Sequence, residues 1–263
     1  MTTTTAATLR RLRRNAPAGF VEGVLDRLGL SDHDEFVRVA SPAGELFVAF
    51  NDRGICAVTT ATLVGGDAGR FARDHRAATG REVRPATRAP AGLVAGLRTG
   101  RGDKLRYDLS GLTPFERAVL MKALEIPPGE VRAYGWIAAE IGRPRAVRAV
   151  GSALARNPVP VLIPCHRVVR SDGTVGNYGL GPDLKRALLG TEGVDLARLE
   201  RLAASGARFV GSDTTGVFCV PSCTHAVRIT AAHEVRFQSL DAARAAGYRA
   251  CTRCRPTGLA AAS

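Results

Sequence analysis

Four cysteines in the last quarter of the sequence constrain its fold more than any other feature. They form two close pairs with the spacings C-x3-C and C-x2-C, separated by 27 residues: Cys219, Cys223, Cys251 and Cys254. The surrounding segment 206–258 has few large apolar residues, and a domain of about fifty residues with so small a core needs a cross-link to fold. Two disulfides, a redox-active C-x-x-C pair or a tetrahedral zinc ion would each supply one.

The start of the sequence bears on the choice among these cross-links. Residues 1–14 are rich in Thr and Arg and lack the apolar centre of a secretory signal peptide. No stretch reaches the ~18 consecutive apolar residues of a membrane helix. We therefore expect a cytoplasmic protein with no membrane partner, in a compartment where clustered cysteines are more often metal ligands than disulfides. The predicted cofactor is one Zn²⁺ on the four cysteines, and no organic cofactor is indicated.

The net charge points to a class of partner. The chain has 37 Lys and Arg residues against 24 Asp and Glu residues, a formal charge of +13. Such a surplus favours a polyanionic partner, with nucleic acid first and an anionic membrane second. A merely basic protein with no such partner would have the same composition, so the charge does not establish DNA binding by itself.

Turn and periodicity patterns predict a multidomain protein of the α/β (α+β) class. Short β-rich stretches broken by Pro42-Ala43-Gly44 and by residues 51–54 indicate a small antiparallel sheet, and Cys56 in one of them is interpreted as a buried core thiol. The predicted segments are a basic arm and helix over 1–30, an N-terminal sheet domain over 31–110, a helical domain over 111–194, a helical linker over 195–205, and a small α+β zinc domain over 206–258.

A helix-turn-helix is predicted inside the helical domain. Helical patterns over 134–141 and 145–156 are joined by the Gly-Arg-Pro turn 142–144. The second helix carries Arg148 beside Ala and Gly residues, and small side chains on one face allow a helix to approach a partner closely. Many helical hairpins share this layout, so the pattern is only a weak indication of DNA binding.

Cys165 lies in a stretch of chain that proline makes stiff. Pro158, Pro160 and Pro164 fix φ and exclude a helix, so an extended segment is predicted to present the thiol. The adjacent His166 could lower the pKa of Cys165 and favour the reactive thiolate. Neighbours on an extended strand point to opposite faces, so we expect a bridging water between them and a separate acidic group, such as Glu192, to orient His166. A buried structural cysteine is the alternative interpretation.

Residues 115–193 closely resemble the catalytic domain of the methylated-DNA–protein-cysteine methyltransferases, also called O6-alkylguanine-DNA alkyltransferases. The matching words are PPGEVRAYGWIAAEIGRP, RAVGSALARNPVPVLIPCHRVV and DGTVGNYGLG. The segment ASPAGELFVAFNDRGICAV is more weakly similar to the N-terminal domain of that family. The resemblance implies a DNA-repair enzyme that binds double-stranded DNA as a monomer associated with the nucleoid.

The resemblance also implies the chemistry and the roles of individual residues. Cys165 would irreversibly accept the alkyl group of O6-alkylguanine, and of O4-alkylthymine, in a single turnover. His166 and Glu192 resemble the water-linked base and its carboxylate partner. Asn157 resembles the residue that ties the recognition helix to the active-site loop through backbone hydrogen bonds.

The remaining implied roles concern the DNA. Tyr134 would meet the target base and its phosphate, and Arg148 would enter the duplex and fill the vacated space. The other implied contacts are Val168 and Tyr178 in the guanine pocket and Ser171 on the DNA backbone. Met121 stands where the family usually has tryptophan, and we interpret it as a core substitution with little effect on the chemistry.

The segment FVGSDTTGVFCVPSCTHAVRITAAHEVRFQSLDAARAAGYRACTRCRP resembles the metal-binding domain of the Ada adaptive-response protein. The resemblance implies zinc ligation by all four cysteines and a second methyl transfer, from methylphosphotriesters in DNA to Cys219. In Ada the metal domain comes first and an AraC-like domain follows it, whereas here it comes last, with five residues after Gly258. We therefore expect no transcriptional role.

Two other functions stay open at this point. One is a DNA-binding alkylation sensor whose zinc domain is structural or signalling. The other is a Cys-His hydrolase that uses Cys165 over many turnovers. If the protein repairs guanine, chelation of zinc should unfold residues 206–258 and spare that repair, so the zinc domain and the alkyltransferase domain are expected to act independently.

Overall fold

The computed structural model describes residues 33–256 together with Phe20 and Val24. Apart from those two positions, the predicted arm and helix over 1–30 lie outside the described residues, as does the end of the predicted zinc domain. The described part confirms a mixed α and β protein with several small sheets.

A four-stranded sheet forms the N-terminal part, in the order β3-β2-β1-β4. Its strands are β1 His33–Ser41, β2 Gly44–Asn51, β3 Gly54–Thr60 and β4 Glu82–Pro85, and its helices are α1 Ala68–Thr79 and α2 Leu93–Thr99. The first three strands are antiparallel, but β4 pairs with β1 in parallel, because α1 carries the chain across the sheet between β3 and β4. The sheet is therefore mixed rather than purely antiparallel.

The prediction that Cys56 is a buried core thiol is only partly correct, because Cys56 packs against the apolar core of the N-terminal sheet but also borders polar groups. Cys56 is only half-buried, and its Sγ lies 3.6 Å from Asp34 Oδ2. Asp34 also accepts from Arg81 and lies 2.7 Å from His75 Nε2, so the strand faces a polar cluster. Burial and the Asp34 carboxylate raise the pKa of Cys56 to about 12, which makes this thiol a poor nucleophile.

The middle of the chain is helical and contains the predicted helix-turn-helix. Its elements are α3 Pro114–Leu124, β5 Arg132–Ala133, α4 Tyr134–Glu140, α5 Val147–Ala155, the 3-10 turn Cys165–Arg167, β6 Val168–Val169 and α6 Pro182–Thr191. A capping box between Thr113 and Glu116 begins α3. Helix α5 begins at Val147 and packs Val150 and Leu154 into the core.

Met121 is 48% exposed, so the prediction that it is a core substitution is wrong. Helix α3 buries Val119, Leu120 and Ala123 instead, and Met121 lies on the face between successive core positions. The residue at position 121 therefore does not determine how the core packs.

Helix α7, Leu196–Ala204, joins the middle part to a second four-stranded sheet. This sheet has the order β10-β8-β7-β9, and its elements are β7 Phe209–Ser212, β8 Val217–Cys219, β9 Glu234–Phe237, α8 Leu240–Ala245 and β10 Arg249–Ala250. The four clustered cysteines are all buried and form part of its core. Among the described residues, no helix combines the length and the apolar character that a membrane crossing requires.

Candidate active site and metal centre

The loop before Cys165 is strained as well as proline-rich. Val161 has a φ of 72°, which is rare for a β-branched residue and costs about 1–3 kcal/mol. The hydrogen bonds Ile163 N to Val159 O and Val58 N to Pro158 O hold the loop in place. One of these hydrogen bonds lies within the loop and the other ties it to β3, so the loop has a fixed shape that suits a segment presenting a reactive group.

Cys165 does not lie on an extended strand, so that prediction is wrong. It begins the 3-10 turn Cys165–Arg167, and Arg167 N donates to Pro164 O at 2.9 Å. Proline excludes a helix interior but is compatible with the residue just before a helical turn, which explains the difference. Only 7% of Cys165 is exposed.

Asn157 links the end of α5 to the thiol. Its Nδ2 donates to Cys165 Sγ at 3.1 Å and to Ile163 O at 3.0 Å, and its Oδ1 accepts from Val159 N. The side chain thus joins the end of α5 and the Cys165 thiol in one hydrogen-bonded unit.

The expected lowering of the Cys165 pKa is also not what the structure shows. Burial raises the pKa of the thiol, and the hydrogen bond from Asn157 and the ammonium of Lys185 act in the opposite direction without reversing it. Because the resting group is a thiol, a base must remove its proton before it can attack.

His166 has the geometry of such a base. Its Nε2 lies 3.0 Å from Glu192 Oε1. Burial lowers the pKa of His166, with Glu192 acting against this, so the imidazole is neutral near pH 7. An ionised carboxylate only accepts hydrogen bonds, so Nε2 carries the proton and Nδ1 has the free lone pair. Nδ1 is buried and has no hydrogen-bond partner among residues 33–256.

Arg167 is a functional residue that the sequence reasoning missed. It donates to Glu192 through Nε at 2.9 Å and Nη2 at 2.7 Å, and also to the carbonyls of Ile126 and Gly100. Burial alone would raise the pKa of Glu192, but hydrogen bonds from His166 and Arg167 outweigh it and lower that pKa to about 2. Glu192 is therefore ionised and oriented by a buried guanidinium.

Gly100 makes that contact possible. It adopts a φ of 65°, and a Cβ there would lie 2.7 Å from Arg167 Nη2. Any larger residue would displace the guanidinium that orients Glu192.

Lys185 was also missed. Its Nζ is buried, donates to Val168 O at 2.6 Å and Asn177 O at 3.3 Å, and lies near enough to Cys165 for each group to affect the other's pKa. Burial lowers the pKa of Lys185 to about 8. Lys185 is recognised as part of the site only because it is buried near the Cys165 thiol, and the sequence pattern does not predict that burial.

The structure brings Tyr134 and Tyr178 to the thiol. Burial, and after it the proximity of Cys165, raises the pKa of both hydroxyls. The Tyr178 ring packs edge-on against His166 with centroids 6.3 Å apart, and Val168 is fully buried beside them. These side chains close the pocket around Cys165.

Arg148 and Ser171 lie on the surface instead. Arg148 is exposed on α5 next to Ala149 and Ser152, and its guanidinium makes no ion pair with any residue that the structure describes. Ser171 is exposed on the turn after β6. Both positions are accessible to a large ligand, but neither contacts Cys165.

The four cysteines fit a tetrahedral metal ion. One Sγ from each lies within 4.8 Å of all the others, and all four are free of disulfides. Thiolates 2.3 Å from a tetrahedral Zn²⁺ would lie about 3.8 Å apart, which is compatible with that limit. The donor set is soft and buried, which favours zinc over harder cations.

Two family models match the chain. Residues 114–194 match the model described as 6-O-methylguanine DNA methyltransferase, DNA binding domain. Residues 197–257 match the metal-binding domain of Ada. The second match and the buried cysteine cluster together support zinc binding.

Curated relatives agree over the first of these regions. The methylated-DNA–protein-cysteine methyltransferase of Rattus norvegicus is 48% identical over 100 residues, 37% of this chain and 46% of that protein. The enzyme of that name from Methanosarcina barkeri is 51% identical over 80 residues, 30% of this chain and 51% of that protein. The chain thus spans about half the length of the curated relatives it matches.

A solved structure titled as Mycobacterium tuberculosis OGT in complex with DNA is 33% identical, with a TM-score of 0.49, and the match covers 60% of this chain and 92% of that one. The assignment comes from the family models and the curated relatives. Residues 114–194 are thus similar to the 6-O-methylguanine DNA methyltransferases, and residues 197–257 to the metal-binding domain of Ada.

Proposed function

We propose that this protein repairs double-stranded DNA by moving an alkyl group from O6 of guanine, or O4 of thymine, to Cys165 irreversibly. The observation that carries the proposal is the connected set of buried and half-buried groups at the end of α5. In it, Asn157 donates to Cys165, and Glu192 orients the adjacent His166. The match to the 6-O-methylguanine DNA methyltransferase family supports the same function.

The proton of Cys165 passes to Nδ1 of His166 through a bridging water. Glu192 stabilises the resulting imidazolium, because its carboxylate accepts from Nε2 and stays ionised. The thiolate is held by the Asn157 amide and by the Lys185 ammonium.

The thiolate attacks the alkyl carbon in an SN2 step. The S–C bond forms as the C–O6 bond breaks, and the electron pair leaves with guanine. Guanine takes up one proton, which balances the one that Cys165 gives to His166, and Tyr134 would donate a hydrogen bond to this leaving base. The product is a thioether, which no group in the site can cleave, so each molecule acts once.

The O6 atom is inaccessible inside a stacked duplex, so the nucleotide must rotate out at a cost of a few kcal/mol. The exposed face of α5 carries small residues beside Arg148. A helix with such a face can approach the narrow minor groove, and an inserted Arg148 offsets part of the cost of unstacking.

Stoichiometry tests this proposal. Protein is mixed with an excess of duplex that contains one O6-methylguanine, and repaired duplex is counted over time. We expect repair to stop at one lesion per protein molecule. Repair of many lesions by one molecule would contradict irreversible transfer and favour a hydrolase.

The Arg148→Ala variant should repair duplex about tenfold more slowly, since ~1.4 kcal/mol of the unstacking cost is no longer offset. Repair of a single-stranded oligonucleotide should be unchanged, because no partner strand has to be parted. Rapid-quench assays on both substrates measure the two rates. Arg145→Ala, another exposed arginine of this region, is the matched control. Equal losses on both substrates would show that Arg148 acts through charge alone.

A second transfer, from methylphosphotriesters to Cys219, is supported by a separate observation. Of the four clustered cysteines, only Cys219 lines a groove of about 450 Å³ in the zinc domain. Arg228, Arg249 and Thr215 line the same groove and suit a DNA phosphate. Zinc would hold this sulfur as a thiolate. The S–C bond would form as the C–O ester bond breaks, which leaves an ordinary phosphodiester.

DNA that carries methylphosphotriesters and no alkylated base should therefore label Cys219 and leave Cys165 unmodified. Peptide mass spectrometry locates the methyl group. Arg228→Ala should slow this labelling about tenfold through loss of one charge-assisted phosphate contact. Arg244→Ala, on exposed α8, should not slow it. No label on Cys219 would leave its domain without an acceptor role.

A further inference from the structure

The loop of the first cysteine pair docks on the chain that leads into the helix-turn-helix. Ser222, between Cys219 and Cys223, exchanges two hydrogen bonds with Val131: Val131 N donates to Ser222 Oγ at 2.9 Å, and Ser222 Oγ lies 3.0 Å from Val131 O. Thr224, after Cys223, hydrogen-bonds to Glu130 Oε1. Ser222, Val131 and Glu130 are all buried.

The second cysteine pair contacts the first helix of the helix-turn-helix directly. Nε1 of Trp136 in α4 donates to the backbone carbonyl of Cys254 at 3.1 Å. The Arg255 guanidinium lies 5.7 Å from the Trp136 ring centroid and 2.9 Å from Glu140 Oε2. A zinc ligand and the helix-turn-helix thus share a hydrogen bond.

Buried charge joins the two parts of the chain. Glu130 is 2% exposed and forms an ion pair with Arg132 at 2.5 Å. It forms a second one, at 3.4 Å, with Arg253, which lies between the two cysteines of the second pair. Separating the two parts would remove the Arg253 and Thr224 contacts of Glu130 and leave this buried carboxylate paired with Arg132 alone.

These contacts converge on residues 130–136, which contain β5 and the first turn of α4. Tyr134, the first residue of α4, lies within this segment and is near enough to Cys165 for the thiol to affect its pKa. Nearby, Arg208 donates to Asp172 O at 3.2 Å and so holds the turn that carries Ser171. The zinc domain therefore supports two of the elements that are placed to meet DNA.

We propose that zinc binding at the four cysteines and DNA binding by the helix-turn-helix are coupled through Trp136. The folded zinc domain holds residues 130–136 in their DNA-binding position, and Trp136 is a positioning residue. The proposal rests on the proposed function only in taking the helix-turn-helix as the DNA-binding element. It replaces the sequence-based expectation that the two domains act independently.

Coupling of this kind is reciprocal. Metal binding supplies much of the folding free energy of a small zinc domain, so loss of zinc would release the surface that contacts residues 130–136. By linkage, DNA must strengthen zinc binding by the same factor by which zinc strengthens DNA binding.

The protein has a single tryptophan, Trp136, which makes the interface directly observable. Chelator is added to the full chain while zinc release, Trp136 emission and affinity for an undamaged labelled duplex are recorded. We expect emission to shift to longer wavelength in step with zinc release, and DNA affinity to fall about tenfold, a typical size for coupled sites. Duplex should slow zinc release.

Two variants separate positioning from direct contact of the zinc domain with DNA. Trp136→Phe removes the indole N–H donor and part of the ring but keeps an aromatic side chain and changes no charge. It should keep zinc, bind DNA more weakly, and show no effect of duplex on zinc release. Arg255→Ala should weaken DNA binding more than Arg244→Ala, an equal change of charge on the exposed helix α8.

Complete zinc release with unchanged Trp136 emission and unchanged DNA affinity would overturn the coupling. So would a Trp136→Phe protein whose DNA affinity and zinc release match those of the unaltered chain. Failure of methyl transfer with the coupling intact would contradict the proposed function and leave this inference standing.

Discussion

The Cys165→Ala variant should take up no methyl from O6-methylguanine DNA and should still bind the duplex. Sγ is the only atom of the site that forms a bond to the alkyl group, so its removal ends the reaction rather than slowing it. The substitution deletes one hydrogen bond, from Asn157, and should cost about 1 kcal/mol of stability. Transfer of a radiolabelled methyl group measures the loss, and fluorescence anisotropy measures the retained binding.

Cys56→Ala is the matched control. Cys56 is a half-buried thiol whose pKa is raised to about 12, so its removal should leave transfer unchanged. Undiminished transfer by Cys165→Ala would place the acceptor elsewhere and remove the basis for the mechanism.

Glu192→Gln should have the second largest effect, on stability and on rate together. The amide cannot neutralise Arg167, and its NH2 group cannot accept one of the hydrogen bonds that the two carboxylate oxygens accept from His166 and Arg167. An uncompensated buried charge costs about 3–5 kcal/mol, so urea unfolding should show a loss of that order. Methyl transfer should also slow, since an unsupported imidazole is a weaker base.

The loss of stability should depend on pH in a defined direction. The pKa of Glu192 is lowered from its ordinary value of 4.5 to about 2. Its ionised form therefore stabilises the fold fully above about pH 4.5, and this contribution disappears as the pH falls toward 2. Urea titrations of both proteins should show the gap closing over that interval.

Glu200→Gln is the control for charge. Glu200 pairs with Arg186 on the surface, where both side chains are nearly half exposed, and its removal should change stability little. A Glu192→Gln protein as stable as this control at pH 7 would contradict the role assigned to Arg167 and Glu192.

The helix-turn-helix and the cysteine pairs could be predicted because their signals are local. Turn residues 142–144 separate two helical patterns, and the spacing of a cysteine pair directly limits where its sulfurs can lie. The two short-spaced pairs do form one buried cluster. Local chain geometry determines the two helices and the position of the sulfurs within each cysteine pair. Only the approach of one cysteine pair to the other depends on the rest of the fold.

The rest depended on contacts between distant parts of the chain. Arg167 acts through Gly100, Ile126 and Glu192, and nothing in the residues beside it indicates those partners. Cys56 looked like a core residue because its neighbours in the sequence are apolar. The polar groups near it, Asp34 and His75, come from other elements and could not be predicted from those neighbours. Met121 was assigned to the core by resemblance, although the pattern of α3 places it on the exposed side.

The docking of the zinc domain was missed for the same reason. Ser222, Trp136 and Cys254 are ordinary neighbours of their own motifs, and only the folded chain shows that they bond to one another. Two separate sequence motifs therefore suggested two independent domains, whereas the structure gives one continuous interface.

Mapping the transferred methyl group tests the central claim most directly. The full chain is incubated with duplex that contains O6-methylguanine, digested, and analysed by peptide mass spectrometry. The account predicts one added methyl group on the peptide that contains Cys165, in proportion to the guanine restored. Restored guanine with residue 165 unmodified would contradict it.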